Sequence, residues 1–385
     1  MSTYQILVPP TVLCDAGSIE LLGEKVKALG KKALIVSDKC MSDSGYVEKL
    51  QNILLKQDIP NETYLEVNGE PTDKMVYEGL DIYRNSDCDF LIGIGGGSPI
   101  DTAKAIGVMA NNPGSITDYM GLGKVKNPLP PVVAIATTAG TGSEVTQFTI
   151  ICDTQNDAKL LIGSPYIVPA LAVNDPLFTM SVPPKITAAT GIDAFTHAVE
   201  SYISKKSNPY TEVMSLSAIS RISKYIRRAW ANGDDLEARS QMMLASMEAG
   251  IAFSNASVTI VHGMSRPIGA LFHVAHGISN AVLLPECMKF ALMGAPEKFA
   301  KIAETMGENI QSLTTMEAAK KAVQAIAQLN DDLEIPTIAD LGIDKEQFFE
   351  AIPKMSRDAI ASGSPANAPR KATFEQIMQI YKNAY

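Results

Sequence analysis

The chain has 385 residues, with 33 Lys and Arg against 42 Asp and Glu, a formal charge of −9. That length exceeds one ordinary core and fits two domains of about 100–200 residues each. An apolar fraction of 46% beside 19% charged residues describes a globular chain, and the acidic balance argues against nucleic acid or an anionic membrane as partner. The opening MSTYQILVPP has neither the basic segment nor the apolar run of a signal peptide, and no stretch reaches the ~18 uninterrupted apolar residues of a membrane helix. Cys14, Cys40, Cys88, Cys152 and Cys287 are scattered, odd in number and never spaced as CxxC, which points to reduced thiols and a cytoplasmic location.

In chain order, KKALIV (31–36) reads as a buried strand and GYVEKLQNILLKQ (45–57) as an amphipathic helix. ETYLEV (62–67) is a second strand, and Pro71–Thr72 opens a helix that runs to about Asn85. DFLIGI (89–94) and VVAIAT (132–137) are further strands that run straight into glycines. Such alternation builds a parallel sheet covered by helices on both faces. From Lys185 onward the pattern is almost wholly helical, with a boundary between Leu177 and Pro184. The expected organisation is an α/β domain over 1–180 and a helical domain over 181–385, with a small-molecule cleft between them.

Gly93-Ile94-Gly95-Gly96-Gly97-Ser98, followed by Asp101, lies between a strand and a helix spanning Pro99 to Met109. Glycines there let a phosphate approach backbone N–H groups at a helix N-terminus. They also suit an ordinary tight turn with Ser98 as N-cap and Pro99 at the first helical position. A second small, hydroxyl-rich loop, Thr137-Thr138-Ala139-Gly140-Thr141-Gly142-Ser143-Glu144, follows the next strand in the same sense. Loops at the carboxyl ends of adjacent parallel strands share one crevice, and this pair suits a pyrophosphate with its two riboses. Asp38 ends the first strand, where a carboxylate can accept from both ribose hydroxyls and repel a 2′-phosphate; a solvated loop aspartate is the alternative. It precedes the glycines instead of following them by ~20 residues, so the order is not that of the usual dinucleotide fingerprint.

All four histidines, His197, His262, His273 and His276, fall in the helical half. Asp193 and His197 are i and i+4 on one helix face. His262 and His276 frame HGMSRPIGALFHVAHG (262–277). One carboxylate with three imidazoles and no thiolate suits a divalent metal such as Fe²⁺ or Zn²⁺ with a coordination position left open.

GGGSPID (95–101), TTAGTGSEVT (137–146), TAATGIDAFTHAVESYIS (187–204) and HGMSRPIGALFHVAHG (262–277) closely resemble the signatures of the iron-containing, group III alcohol dehydrogenases. NPLPP (127–131) and APRKAT (368–373) are similar too, so the likeness covers essentially the whole chain. The resemblance implies a dehydroquinate-synthase-like α/β dinucleotide-binding domain followed by an all-α metal-binding domain. It assigns the metal to Asp193, His197, His262 and His276. Cofactor contacts fall to Gly95, Gly96, Gly97, Ser98, Thr137 and Thr138, with Asp38 selecting NAD over NADP. Lys159 and Leu177 fall near the nicotinamide end. The implied chemistry is metal-assisted hydride transfer between a small alcohol and NAD(H), with the metal as Lewis acid. Dimers or larger homo-oligomers are the implied assembly, and a non-redox lyase of dehydroquinate-synthase type is the rival activity.

Two departures bear on substrate. The family commonly reads HxxxHP, and here Arg266 stands at the second histidine, i+4 from His262. A guanidinium relays protons poorly, so His273 is the candidate relay, or else it hydrogen-bonds a carbonyl. Arg266 itself either holds an anionic tail (carboxylate, sulfonate or phosphonate) on a short aldehyde or forms a structural salt bridge. The other departure is Glu70, where the family often has Asn, which removes one expected cofactor hydrogen bond.

Overall fold

The computed structural model describes residues 3–156 and 158–385. Two compact units divide it, Ile6–Ser181 and a second built on Val182–Tyr385.

In the first unit the strands are β1 (Val12–Cys14), β2 (Ala33–Val36), β3 (Asn61–Tyr64), β4 (Phe90–Gly95), β5 (Gly121–Leu122), β6 (Val132–Ala136), β7 (Phe148–Asp153), β8 (Ala158–Gly163) and β9 (Leu171–Asn174). Its helices are α1 (Leu22–Val26), α2 (Lys39–Asp43), α3 (Tyr46–Leu55), α4 (Asp73–Asn85) and α5 (Gly97–Asn111). The main sheet runs β1-β9-β6-β4-β2-β3, and every pairing in it is parallel. A small second sheet, β5-β8-β7, carries the antiparallel pair of β7 and β8. The predicted strands and the helix after Pro71–Thr72 are present, with Thr72 capping α4 through Met75 N–H. The strand expected over 62–67 spans Asn61–Tyr64 instead.

Along β4, Phe90, Ile92 and Ile94 join one buried cluster while Leu91 joins the other, so alternate residues feed opposite faces of the sheet. Both faces are therefore core, as the unbroken apolar runs require, and each fully buried Ile or Leu contributes about 1.5–3 kcal/mol.

The glycine turn differs from its expected capping. α5 begins at Gly97, with Gly96 as N-cap and no side-chain cap; Ser98 and Pro99 lie inside the first turn. First-turn N–H groups need no intrahelical acceptor, so proline is tolerated there. Gly95 has φ +149°, and a Cβ on it would lie 2.6 Å from Pro99 Cγ, so the turn at this point accepts only glycine.

The second unit is helical: α6 (Pro184–Ile203), α7 (Pro209–Ala231), α8 (Leu236–Ala256), α9 (Ile260–Phe272), α10 (His276–Ala291), α11 (Pro296–Thr305), α12 (Thr315–Asp332), α13 (Lys345–Ala361) and α14 (Phe374–Ala384). α6 is buried on nearly all sides, as its largely apolar sequence demands. No single helix among the described residues is long and apolar enough to cross a membrane.

Candidate functional site

The strand order places β2 and β4 side by side although their connections leave in opposite directions. That is a topological switch point, where open parallel sheets bind ligands beyond the strands' carboxyl ends. Asp38 follows β2, the Gly95–Ser98 turn follows β4, and the Thr137–Thr138 loop follows β6. β4 pairs with β6 up to Gly95 and Ala136, and Thr137 N–H donates to Gly95 C=O at 2.9 Å. A Cβ on Gly96 would lie 3.6 Å from Thr138 Oγ1, and one on Gly97 3.0 Å from Thr141 Cγ2. The two loops thus touch, with glycine backbone on one side meeting threonine side chains on the other. Thr137 Oγ1 is buried with no hydrogen-bond partner.

Asp38 is neither free nor merely solvated: it caps α2, accepting from Met41 N–H at 2.9 Å. Lys159 lies on β8, where its Nζ pairs with Glu70 Oε1 at 2.6 Å, so the departure at Glu70 neutralises this lysine. Leu177 is 39% exposed in the turn after β9.

Lys104, one helical turn after Asp101, was not signalled by the glycine motif. It is fully buried, and its Nζ donates to the carbonyls of Ser143 (2.6 Å), Thr146 (2.9 Å) and Phe148 (2.9 Å), and to Thr146 Oγ1 (3.1 Å). These contacts tie α5 to the far end of the second loop. Burial lowers its ammonium to about 8 against the opposing charges of Asp101 and Glu144, and raises the Asp101 carboxyl to about 6.

In the helical unit, Asp193 and His197 share one face of α6, His262 lies in the first turn of α9, and His276 opens α10. A Cβ on Gly277 would collide with the Ala189 carbonyl of α6, so glycine lets α10 approach and brings His276 to Asp193. Asp193 Oδ1 is 3.5 Å from His262 Nε2 and 3.7 Å from His276 Nε2, and one ligand atom from each residue lies within 4.8 Å of the others. His197 stands beside this trio. Its Nδ1 is 4.0 Å from Asp193 Oδ2, and its ring stacks between Phe253 and His262. That Nδ1 is buried without a hydrogen-bond partner. An orphaned imidazole nitrogen next to a carboxylate and two convergent imidazoles fits a divalent cation better than it fits a settled polar core.

Glu200, on the same helix one turn past His197, is the support that spacing did not single out. Its carboxylate is fully buried and accepts from Thr259 Oγ1 (2.5 Å), Val261 N–H (2.6 Å) and His262 N–H (3.3 Å), capping the start of α9. Its Oε2 also meets His262 Nδ1 at 2.7 Å, which puts the proton on Nδ1 and turns Nε2 toward Asp193. Asn280, one turn past His276, donates to Asp193 Oδ1 at 2.6 Å. Both follow the i+3/i+4 spacing that relates Asp193 to His197, so the same rule applied once more would have found them.

The electrostatics follow from burial and pairing. Burial alone would raise Asp193, but His197, His276 and His262 outweigh it and hold the carboxyl far below the usual range. Glu200 is likewise lowered, because hydrogen bonds from His262, Thr259 and Val261 outweigh burial. Burial pushes His197 down to about 3 against the pull of Asp193. The cluster therefore presents ionised carboxylates and a neutral imidazole to anything that binds there.

α9 continues unbroken past Arg266, which keeps that residue on the face of His262. Its guanidinium forms no hydrogen bond or ion pair among the described residues, so the expected structural salt bridge is not present. Burial lowers it from the usual arginine value, opposed by the Glu200 charge. His273 ends α9 at φ +54°, exposed and without the carbonyl hydrogen bond considered for it.

Residues 9–176 match the family described as "Iron-containing alcohol dehydrogenase", and residues 187–385 match "Fe-containing alcohol dehydrogenase family, C-terminal". The chain is 42% identical to a 1,3-propanediol dehydrogenase of Citrobacter freundii over 99% of both chains. It superposes on a crystal structure of a 1,3-propanediol oxidoreductase with TM-score 0.97, 41% identity and full coverage of each. A sulfoacetaldehyde reductase from Bifidobacterium kashiwanohense, solved in complex with NAD⁺, matches with TM-score 0.87 and 26% identity over 100% of this chain and 99% of that one. With both units matched from end to end, the chain belongs to the iron-containing alcohol dehydrogenase family.

Proposed function

We propose that this chain is a metal-dependent, NAD(H)-linked alcohol dehydrogenase or aldehyde reductase that interconverts a small primary alcohol or diol and its aldehyde by hydride transfer. The observation that carries the reading is the buried convergence of Asp193, His262 and His276, with the orphaned His197 nitrogen beside them. When bound there, Fe²⁺ or Zn²⁺ supplies Lewis acidity toward a substrate oxygen, and NAD(H) supplies the hydride carrier.

The chain's own groups do the rest. Asp193 remains a carboxylate because three imidazoles surround it, and Glu200 locks the His262 ring in the tautomer that exposes Nε2. Gly95, Gly96, Gly97 and Ser98 offer backbone at the start of α5 for a pyrophosphate, next to Thr137 and Thr138. Asp38 accepts ribose hydroxyls and disfavours a 2′-phosphate. Lys159 and Leu177 are assigned to the nicotinamide end. His273, exposed and unbonded, passes a proton to solvent. A cytoplasmic location agrees with five cysteines that form no disulfide among the described residues, and a homodimer or larger homo-oligomer follows from the family resemblance.

A second reading concerns the substrate. Arg266 is a largely buried, permanent cation with no ionic partner, which is costly unless an anion meets it. A short aldehyde with a carboxylate, sulfonate or phosphonate tail would supply that anion, and the sulfoacetaldehyde-reducing relative lends support.

NADH oxidation by metal-stripped protein, restored with Fe²⁺ or Zn²⁺, tests the proposal on a panel of neutral and anionic short aldehydes. Turnover that returns only with metal is expected. Turnover unaffected by stripping, or none on any aldehyde despite NADH binding, overturns it. Arg266→Gln should raise KM selectively for anionic aldehydes; equal effects on both classes remove the second reading and leave the first intact.

A further inference from the structure

Ser257 lies between α8 and α9 with φ +65° and ψ 160°, a backbone conformation open to glycine and costly for a residue with a Cβ. The chain turns by 103° there from one helix into the other, a few residues before His262. The Ser257 N–H closes the last turn of α8 on the Phe253 carbonyl at 2.8 Å, so the strained residue is the joint itself.

Such a conformation persists only where its surroundings over-determine it. Three groups do so here. Ser204, just past α6, donates from Oγ to the Ala256 carbonyl at 2.6 Å. Glu200, on α6, accepts from Thr259 Oγ1 and the Val261 N–H. The third comes from far along the chain: Asn367 Nδ2 donates to Ser257 Oγ at 3.0 Å and to the Val258 carbonyl at 3.2 Å. Asn367 ends the short 3₁₀ turn Ser364–Asn367 between α13 and α14. That turn is anchored on both sides of the joint. The Asn367 carbonyl accepts from the Lys205 N–H at 2.9 Å, and a Cβ on Gly263, next to His262, would lie 2.7 Å from Pro365 Cδ.

We propose that Asn367 is a positioning residue for the metal centre: it holds the Ser257 turn in its strained conformation and so sets the direction in which α9 delivers His262 to Asp193. The inference rests on the metal-centre reading above. Without the two amide hydrogen bonds, Ser257 relaxes toward an ordinary backbone region and the start of α9 shifts with it. The need for Asn367 therefore exists because position 257 carries a side chain. Glycine takes the same φ and ψ at little cost, so Ser257→Gly should make Asn367 dispensable. Simple loss of two hydrogen bonds has no such remedy.

The test is zinc affinity of the full-length chain, measured by competition with a chromophoric chelator, with thermal midpoints alongside. Asn367→Ala should lower the midpoint and weaken zinc binding ~5–10-fold, the low end of what a group bonded directly to a ligand contributes. Ser257→Gly alone should leave zinc affinity within about twofold of wild type. The double variant Ser257→Gly/Asn367→Ala should recover it to within about threefold. Ser257→Ala/Asn367→Ala, which removes the hydroxyl but keeps the Cβ, should not recover it. An Asn367→Ala chain that folds only in the Ser257→Gly background gives the same support. A lowered midpoint with unchanged zinc affinity overturns the proposal and makes Asn367 an ordinary brace of the fold. So does a loss of zinc affinity that Ser257→Gly fails to restore, or that Ser257→Ala restores equally well. A wild-type chain that takes up no zinc overturns the metal-centre reading and this proposal with it, a failure seen before any variant is compared.

Discussion

Replacing Lys104 with methionine keeps the length of the side chain and deletes its charge and all its donors. The ammonium has three protons and four oxygen partners, the carbonyls of Ser143, Thr146 and Phe148 and the Thr146 hydroxyl. Hydrogen bonds from a charged donor contribute about 1.5–3 kcal/mol each, so three amount to about 5–9 kcal/mol gross. Against this stands the burial of the charge: a fall from 10.5 to about 8 marks a site about 3 kcal/mol less hospitable to ammonium than water is. The net loss in Lys104→Met is therefore about 2–6 kcal/mol. In a unit of this size that lowers the thermal midpoint by ~4–24 °C. Because the lost bonds end the 137–146 loop, NADH affinity, read from the quenching or enhancement of its fluorescence, should also weaken several-fold. A midpoint within about two degrees of wild type together with unchanged NADH affinity would refute the assignment of Lys104 as the fastener of that loop.

Other outcomes follow from single contacts. Glu200→Gln leaves the shape of the His262 support but removes its charge, and metal affinity by chelator competition should fall about 10–100-fold; no change would mean that His262 holds its tautomer without it. Asp38→Ala should raise kcat/KM for NADPH relative to NADH by at least about tenfold, while losing the α2 cap costs about 1 kcal/mol of stability; an unchanged preference removes Asp38 from cofactor selection. Asp101 titrates near 6 in the folded chain against 3.8 ordinarily, so the folded state binds its proton more tightly and stability from this group is lost as pH rises from about 4 through 6. Asp101→Asn should therefore gain stability relative to wild type between pH 4 and pH 7, by up to about 3 kcal/mol. Denaturant midpoints at the two pH values read this directly, and a constant difference would show that Asp101 is not raised.

The elements most open to sequence reading were those whose pattern has one physical cause. β4 and β6 are unbroken apolar runs because both faces of the sheet are covered, and α6 carries its ligands at helical spacing. The start of α5 was misplaced because Ser98 and Pro99 look like a cap and a first position, whereas the tight glycine turn lets the helix begin at Gly97. β7 and β8 were missed: half-exposed on one face, Phe148–Asp153 and Ala158–Gly163 lack the continuous hydrophobic signal of the main sheet. Lys104 was invisible for a different reason. A lysine in a helix ordinarily marks solvent, and only the carbonyls gathered from 143–148 by the fold explain its burial. Glu200 and Asn280 had the spacing, and Glu200 a ligand-type carboxylate too, but their hydrogen bonds go to the ligands, which only the fold reveals.

Asp193, His197 and Glu200 occupy positions i, i+4 and i+7 of α6, about 10 Å of one helix. The remaining groups lie in the first turns of α9 and α10, the former capped by Glu200 and the latter admitted by Gly277. Every candidate ligand atom and every hydrogen-bonding support described for the ligand residues themselves is thus carried by three stretches of chain, 193–200, 259–262 and 276–280, none longer than eight residues, with the Phe253 ring stacked on His197 from outside them. For a designer the centre is a compact graft: a helical scaffold that crosses three helices at these points, with one glycine at the tightest crossing, inherits ligands and their supports together.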